Sequence, residues 1–362
     1  MADVELAHVE VALDRRVVLH DVSVRIGAGA FAAVVGPSGS GKSTLLRAIA
    51  GLVPVTAGVV SIDGDDMSGI RPNHRDIAMV FQNPALLPNR SVRRNVAFPL
   101  ELRHEDVEEI RRRVDAEARA MRIEGLLLKQ PAELSQGEEQ LVQIARSLVR
   151  VPRVLLLDEP FASLDPRLTV HMRGEIGTLQ AGYGVTTVMA TNDPDDAMAL
   201  ADLLVVVEGG RVVQAAPPAE VWGAPVTLGA AISTGPLALL DVAVERVGDG
   251  YAVTASDRHD ADDLAARFVH RVYSPTFADR VGDQMIMGVR PGSAVIDPRG
   301  PIHARVDRLI PGQPTTVWCR SGGQTLTAAL EPGGPAPARG DVVALRIDHA
   351  VVFDRLTELA IA

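Results

Sequence analysis

The chain has 362 residues, enough for two domains and a large hydrophobic core. Its 36 basic residues against 46 acidic ones give a net charge of −10, which argues against a nucleic acid partner, since a phosphate backbone attracts a basic surface. The single cysteine, Cys319, excludes an internal disulfide bond and a cysteine-based zinc site, and it favours a reducing compartment. Residues 1–10 do not resemble an export signal, and no apolar run is long enough to span a bilayer. We therefore expect any membrane association to be made through a partner.

Residues 1–235 alternate short apolar runs with helical segments, which is the pattern of an α/β domain with buried strands. The predicted strands are residues 31–35, 77–81, 154–157, 185–190 and 203–207. Residues 105–121 and 138–150 are predicted helices, the second because its apolar side chains fall on one stripe. Residues 236–362 consist of short Val, Thr and Leu runs interrupted by Gly, Pro and Asp, which predicts a smaller all-β domain.

A phosphate-binding loop follows the first predicted strand. The loop has the full sequence pattern, and Thr44 then begins a predicted helix: Gly36, Pro37, Ser38, Gly39, Ser40, Gly41, Lys42 and Ser43. In such a loop the backbone N–H groups surround the β- and γ-phosphates, and the helix dipole favours their charge. Lys42, one of only two lysines in the chain, is expected to reach the phosphates, and the Ser43 hydroxyl is expected to bind Mg²⁺.

The predicted strand at residues 154–157 ends in two carboxylates, Asp158 and Glu159. The carboxyl edge of a parallel sheet is where such folds bind ligands, so both side chains should lie beside the phosphate loop. We expect Asp158 to hold the Mg²⁺ shell through a water molecule and Glu159 to orient or deprotonate the attacking water. An acidic surface turn after a buried strand has the same pattern, and the phosphate loop is what favours the catalytic interpretation.

Five motifs in order and at matching spacing resemble those of the ATP-binding subunits of ABC transporters. They are the phosphate loop, Gln82 in a Phe-Gln-Asn-Pro run, the Leu-Ser-Gln-Gly-Glu run at 134–138, Asp158 with Glu159, and Ser163 with Leu164 and Asp165. Together they cover most of residues 1–235. Residues 75–82, 196–202 and 288–291 make the chain similar to the maltose and glycerol-phosphate importer ATPases, the last of these runs lying in that subgroup's C-terminal OB-like (TOBE) domain.

The resemblance implies a P-loop ATPase domain of α/β class at residues 1–235, with a helical subdomain at about 85–150, and an OB-like β domain at 236–362. It also implies that two subunits enclose two ATP molecules head to tail, so that hydrolysis requires a second copy or a homologous ATPase subunit. The residues that it assigns to the ATP held by the other subunit are Ser135, Gln136 and Gly137. Those that it assigns to the dimer-interface loop are Ser163, Leu164 and Asp165.

The leading hypothesis from this resemblance is the ATP-hydrolysing subunit of a bacterial importer, most often of a carbohydrate. ATP would bind residues 36–44, and Mg²⁺ would be held by Ser43, Gln82 and, through water, Asp158. Gln82 would also sense the permease, and the resemblance implies that the catalytic residues are Glu159, Gln82 and Asn192. Expected partners are two integral-membrane permease subunits and, indirectly, an extracytoplasmic solute-binding protein. Contacts with the permeases would hold this chain at the cytoplasmic face of the cell membrane.

The sequence departs from the family pattern in three places, which involve four residues. Asn192 stands where the family has a histidine, which removes a group that can be protonated and leaves an amide donor. Loss of a hydrogen bond to a charged group costs about 1.5–3 kcal/mol, so we expect slower hydrolysis. Gln136 and Glu138 replace a glycine and a glutamine, and Glu138 adds a negative charge near the phosphates. Leu13 falls where an aromatic side chain usually stacks on adenine.

These departures leave a second hypothesis open, a nucleotide-binding regulatory subunit with little turnover. The retained Glu159 argues against a complete loss of hydrolysis. Ser135 and Glu138 also form the pattern of a capping box, which is compatible with phosphate binding because a helix N-terminus attracts anions.

Overall fold

The computed structural model describes residues 2–83, 85–162, 164–255, 269–272, 275–312, 315–321, 324–330 and 334–361. The chain divides into two compact units, Met1–Val221 and Trp222–Ala362. Each unit has a hydrophobic core of its own.

The first unit contains two sheets. Its strands are β1 (Val4–Leu13), β2 (Arg16–Ile26), β3 (Phe31–Val35), β4 (Ala57–Ile62), β5 (Asp65–Asp66), β6 (Ile77–Val80), β7 (Val154–Asp158), β8 (Thr186–Ala190), β9 (Leu203–Glu208) and β10 (Arg211–Ala216). A four-stranded antiparallel sheet has the order β2-β1-β4-β5, and a six-stranded sheet has the order β10-β9-β3-β8-β7-β6. All neighbours in the second sheet are parallel except β10 and β9.

The five predicted strands are confirmed as β3, β6, β7, β8 and β9, each within a residue of the predicted bounds. Every residue of β3, β7 and β8 is buried, which explains why these strands show no alternation of polar and apolar residues. The strands of the antiparallel sheet were not predicted, because bulges between β1 and β2 interrupt the alternation of buried and exposed residues that would indicate a strand.

Helices occur in both units. Their bounds are α1 (Lys42–Ala50), α2 (Val92–Glu101), α3 (Val107–Ala120), α4 (Gln136–Leu148), α5 (Pro166–Tyr183), α6 (Pro194–Leu200), α7 (Pro218–Gly223) and α8 (Leu228–Ser233). Shorter 3-10 turns occupy Pro72–His74, Glu124–Leu126, Pro131–Glu133 and Pro275–Arg280. The predicted helices at residues 105–121 and 138–150 are confirmed as α3 and α4. The helix predicted from Thr44 is α1, which begins two residues earlier. In the described part of the chain, no helix combines the length and the apolar composition that crossing a membrane requires.

The second unit is built mainly from strands. They are β11 (Ala238–Val247), β12 (Gly250–Ala255), β13 (Val269–Val272), β14 (Gln284–Val289), β15 (Ala294–Ile296), β16 (Ile302–Ile310), β17 (Thr316–Ser321), β18 (Gln324–Ala329), β19 (Val342–Ile347), β20 (Val351–Asp354) and β21 (Ala360–Ile361). A six-stranded sheet has the order β13-β12-β11-β14-β20-β21, and a closed barrel has the order β15-β18-β17-β16-β19. The small barrel confirms the OB-like β fold expected after the α/β domain.

The second unit begins at Trp222, earlier than the boundary expected at residue 235. The reason is that the segment around α8 pairs with the end of the chain. The Leu228 N–H donates a 2.9 Å hydrogen bond to the Glu358 carbonyl, and the side chain of Leu228 packs in a cluster with Phe353. The Arg290 guanidinium lies 3.9 Å from the centroid of the Trp222 ring.

Helix α3 carries a buried carboxylate. Glu117 is 3% exposed; its Oε2 accepts a 3.3 Å hydrogen bond from the Tyr183 hydroxyl at the end of α5, and its Oε1 has no partner among the described residues. Burial raises the pKa of Glu117 to about 7. The folded protein therefore holds this proton more tightly than the unfolded chain does.

Because of this tighter proton, the free energy of unfolding should fall as the pH rises from the glutamate pKa of the unfolded chain, about 4.3, towards 7. Glu117→Gln removes this dependence, so between pH 4.5 and pH 8 the variant should gain about 3 kcal/mol relative to the native protein. Urea unfolding at both pH values measures the difference. Glu108→Gln, an exposed position on the same helix, is the control. If the difference in free energy of unfolding between the variant and the native protein is the same at both pH values, the raised pKa of Glu117 is contradicted.

Candidate functional site

The phosphate loop connects β3 to α1, and its glycines are required by backbone geometry. Gly36, Gly39 and Gly41 have φ angles of 145°, 81° and 109°, which lie in the region that favours glycine. A Cβ atom at Gly36 would lie 2.0 Å from the carbonyl oxygen of Val207 on β9. Only glycine therefore fits at this position.

The N-terminus of α1 is free to bind an anion. Its N-cap is Gly41, which supplies no capping side chain, and the first turn contains no acidic residue. The Ser40 hydroxyl is buried in the loop and has no hydrogen-bond partner among the described residues. Unsatisfied donors of this kind are suited to phosphate oxygens.

The Lys42 ammonium lies inside the loop. Its Nζ donates hydrogen bonds of 2.8 Å to the Gly36 carbonyl and 2.9 Å to the Pro37 carbonyl, and the residue is 6% exposed. Burial lowers the pKa of Lys42, and the carboxylates of Glu159 and Asp158 oppose this shift. The loop therefore already holds a buried cation at the place where phosphates are expected.

Asp158 is the last residue of β7 and is 2% exposed. Its Oδ1 accepts a 2.8 Å hydrogen bond from the Ser43 hydroxyl, so two of the three predicted Mg²⁺ ligands are brought together. Glu159 follows with a φ angle of 48°, a left-handed conformation that is strained for a residue with a side chain. Its N–H donates a 2.9 Å hydrogen bond to the Ala190 carbonyl, which fixes the backbone at this point.

The three predicted catalytic residues meet at the Glu159 carboxylate. The Gln82 amide donates a 3.1 Å hydrogen bond to Glu159 Oε2, and the Asn192 amide donates one to Oε1. The three side chains follow the ends of β6, β7 and β8, which are neighbours in the parallel sheet. Residues distant in sequence thus form one constellation at the carboxyl edge of the sheet.

A cavity of about 200 Å³, termed the phosphate cavity, separates the loop from this constellation. Its lining residues are Val18, Ser38, Gly39, Gly41, Lys42, Ser43, Thr44, Glu159 and Asn192. Sequence reasoning missed Val18, since an aliphatic residue on an antiparallel strand carries no binding signal. Leu13, expected near adenine, is not among these lining residues; it pairs with Arg16 at the end of β1 and packs against the core.

Ser135 caps α4, and the predicted capping box is present. The Ser135 hydroxyl accepts a 3.3 Å hydrogen bond from the Glu138 N–H, and Glu138 Oε2 accepts a 2.8 Å bond from the Ser135 N–H. That second bond is the main cause that lowers the pKa of Glu138. Lys129, the other lysine of the chain, donates a 3.3 Å hydrogen bond to Glu138 Oε1. The negative charge that departs from the family pattern is therefore paired locally.

Residues Ser135, Gln136 and Gly137 do not line the phosphate cavity of their own chain. A Cβ atom at Gly137 would lie 3.3 Å from the side chain of Leu164, so this turn is next to the predicted interface loop. Ser163 lies outside the described residues. Asp165 caps α5, its carboxylate accepting hydrogen bonds of 3.0 Å and 3.1 Å from the next helical N–H groups.

Comparison with known proteins agrees with this arrangement. Residues 19–162 match the family model described as ABC transporter. The uncharacterized ABC transporter ATP-binding protein YurJ of Bacillus subtilis is 35% identical over 375 residues, covering 100% of both chains. The chain belongs to the ABC transporter family of ATP-binding proteins. An sn-glycerol-3-phosphate import ATP-binding protein of Rhizobium meliloti is 47% identical over 209 residues, covering 58% of this chain and 60% of that one.

Solved structures match the ATP-binding part of this ABC protein. A component of the ABC transporter complex cbiONQ from Clostridium perfringens has a TM-score of 0.57 and 31% identity, over 61% of this chain and 90% of that one. A dimeric ATP-binding cassette in a post-hydrolysis state, bound to ADP and Pi, has a TM-score of 0.55 and 29% identity, over 59% of this chain and 98% of that one.

The close approach at Gly36 predicts the effect of a single methyl group on this ABC protein. Gly36→Ala places a Cβ atom against the Val207 carbonyl and should distort the loop, weakening ATP binding at least about tenfold. Titration calorimetry with ATP measures the change. Gly125→Ala is the matched control, because a Cβ atom there meets nothing within 4 Å. Equal affinities in the two variants would show that the loop tolerates the methyl group.

Proposed function

We propose that the chain is the ATP-hydrolysing subunit of a bacterial ABC importer that energises uptake of a carbohydrate-like solute through partner permeases. The observation that carries the proposal is the Glu159 carboxylate, held between Gln82 and Asn192 beside the phosphate loop. The relatives named as glycerol-phosphate import proteins support an importer and this class of solute. They favour the ATPase over a regulatory subunit with little turnover.

ATP would bind with its phosphates on the loop of residues 36–44. The free N–H groups at the start of α1 and the Lys42 ammonium would bind the β- and γ-phosphates. The Ser43 hydroxyl, Gln82 and the Asp158 carboxylate present the oxygen ligands that Mg²⁺ prefers, Asp158 acting through water. The ion would neutralise charge on the phosphates.

Glu159 would accept a proton from the attacking water at its carboxylate. Each carboxylate oxygen accepts one amide hydrogen bond and has lone-pair capacity left for a water molecule. The two amide donors hold the carboxylate in one orientation. Because it is already oriented, the carboxylate loses little rotational entropy when it accepts the proton. Gln82 is also proposed to sense the permease, because it joins the catalytic carboxylate to the loop after β6.

Hydrolysis is proposed to require a dimer of this chain with a second copy or a homologous ATPase subunit. Ser135, Gln136 and Gly137 would contact the ATP held by the other subunit, since they stand at the N-terminus of α4 and do not line the cavity of their own chain. Ser163, Leu164 and Asp165 would lie at the interface. The similar dimeric cassette with ADP and Pi supports this arrangement.

The proposed membrane partners are two permease subunits, with a solute-binding protein acting indirectly from the outside. The subunit would sit at the cytoplasmic face of the membrane through permease contacts. The similarity to a component of an assembled ABC transporter complex supports this placement.

Steady-state Mg-ATP hydrolysis, measured over a range of protein concentrations, tests the proposed function. We expect the rate to rise faster than linearly with protein concentration, and Glu159→Gln to reduce it at least about a hundredfold while ATP binding is retained. Native turnover no greater than that of Glu159→Gln, also in the presence of co-purified permeases, would contradict the proposal.

Turnover is proposed to be slow because Asn192 donates a hydrogen bond but carries no charge. Asn192→His introduces an imidazole with an ordinary pKa of about 6.5, which is about half charged at pH 6.5 and mostly charged below it. We therefore expect kcat to rise by about tenfold at pH 6.5 and to depend on pH around that value. Phosphate release between pH 5.5 and 8.5 measures both effects. Asn192→Ala, which loses the donor, should be slower than the native protein. A histidine variant no faster than native would show that Asn192 does not limit turnover.

A further inference from the structure

The segment that carries Asn192, residues 191–193 and termed the switch loop, is fixed at both of its ends. The Thr191 N–H donates a 3.1 Å hydrogen bond to the Val34 carbonyl of β3, and the residue is 3% exposed. The Thr191 hydroxyl accepts a 3.0 Å hydrogen bond from the Asp193 N–H. Asn192 therefore lies on a short tight turn, and its amide direction depends on how that turn is held.

Asp196 on α6 holds the turn through a hydrogen bond to Thr191. It is 3% exposed, and its Oδ2 accepts a 3.1 Å hydrogen bond from the Thr191 hydroxyl. Burial raises the pKa of Asp196. A buried carboxylate of this kind needs a charged partner to stay ionised and in place.

That partner is Arg173 on α5. Its Nε donates a 2.5 Å hydrogen bond to Asp196 Oδ1, and its Nη2 donates a 3.2 Å bond to Asp193 Oδ2. The guanidinium thus joins Asp193, the last residue of the switch loop, to Asp196 on α6, and the Arg173 side chain is only 17% exposed. A planar group with several fixed donors suits this double contact, and a lysine ammonium would not reproduce it.

Arg173 also lies beside the constellation without touching the phosphate loop. It lines a cavity of about 670 Å³ together with Glu159, Thr191 and Asn192, and it is not among the residues that line the phosphate cavity. Its helix begins directly after Asp165 of the proposed interface loop. The residue therefore connects that loop to the switch loop through one rigid helix.

We propose that Arg173 is a positioning residue for ATP hydrolysis, which acts through Asp196 and Thr191 to hold the Asn192 amide against the Glu159 carboxylate. The inference rests on the proposed function, because it assigns Arg173 a part in hydrolysis at Glu159. It predicts that loss of Arg173 affects turnover and leaves nucleotide affinity nearly unchanged.

A double-mutant cycle with Arg173→Gln and Asn192→Ala tests the coupling. Arg173→Gln should lower kcat about tenfold with KM for ATP changed less than about twofold. In the Asn192→Ala background the same substitution should lower kcat by less than about twofold, because the group that it positions is already absent. Arg173→Lys should restore only part of the activity. Glu175→Gln, an ion-paired position on the same helix that does not contact the switch loop, is the control.

A second measurement does not depend on turnover. Hydrogen exchange followed by mass spectrometry should show faster exchange of residues 190–197 in Arg173→Gln, with residues 36–43 unchanged. Equal effects of Arg173→Gln in both backgrounds, or unchanged exchange of residues 190–197, would overturn the inference. If the native chain and its complexes hydrolyse no ATP, the proposed function fails; the exchange result then still decides whether Arg173 holds the switch loop.

Discussion

The parallel register of β3, β7 and β8 is the constraint on which the site depends. Val34 and Asp158 are both paired with Ala190, so the three strands end at the same level of the sheet. The phosphate loop, the two carboxylates and the switch loop therefore emerge side by side. The Glu159 N–H donates a hydrogen bond to the Ala190 carbonyl, which continues this register one residue beyond β7. The Glu159 backbone is left-handed at this point and therefore strained.

The buried and half-buried charges of the first unit have different kinds of hydrogen-bond or ion-pair partners. Lys42 is satisfied by loop carbonyls, Asp196 by Arg173, and Glu138 by a helix cap and Lys129. Glu117, away from the site, lacks such a partner for one oxygen. Charges close to the reacting groups are thus held in fixed directions, which is what electrostatic catalysis requires. The pairing of Glu138 with Lys129 and with the Ser135 cap reduces the negative charge at the start of α4, where the proposed contact with ATP would be made.

Much of the α/β unit could be predicted from its residues, because buried parallel strands are continuous apolar runs and a phosphate loop needs particular residues in one order. The gathering of Gln82, Glu159 and Asn192 was expected from family resemblance, and the strand order provides its physical cause. The antiparallel sheet and Val18 were missed, since bulges interrupt the alternation that would indicate these strands. The boundary at residue 235 was placed after the α8 segment, because the pairing of Leu228 with residue 358 is a long-range contact.

The sequence by itself determined the phosphate loop, the strand carrying Asp158 and Glu159, the capping box at Ser135 and the family to which the chain belongs. These features are local, and each is encoded by residue type at fixed spacing. Only the tertiary structure decided that Arg173 reaches the switch loop, that Lys129 neutralises Glu138 and that Val18 lines the phosphate cavity. Such contacts join side chains from separate elements, and their partners depend on how strands and helices pack, which no spacing along the chain records.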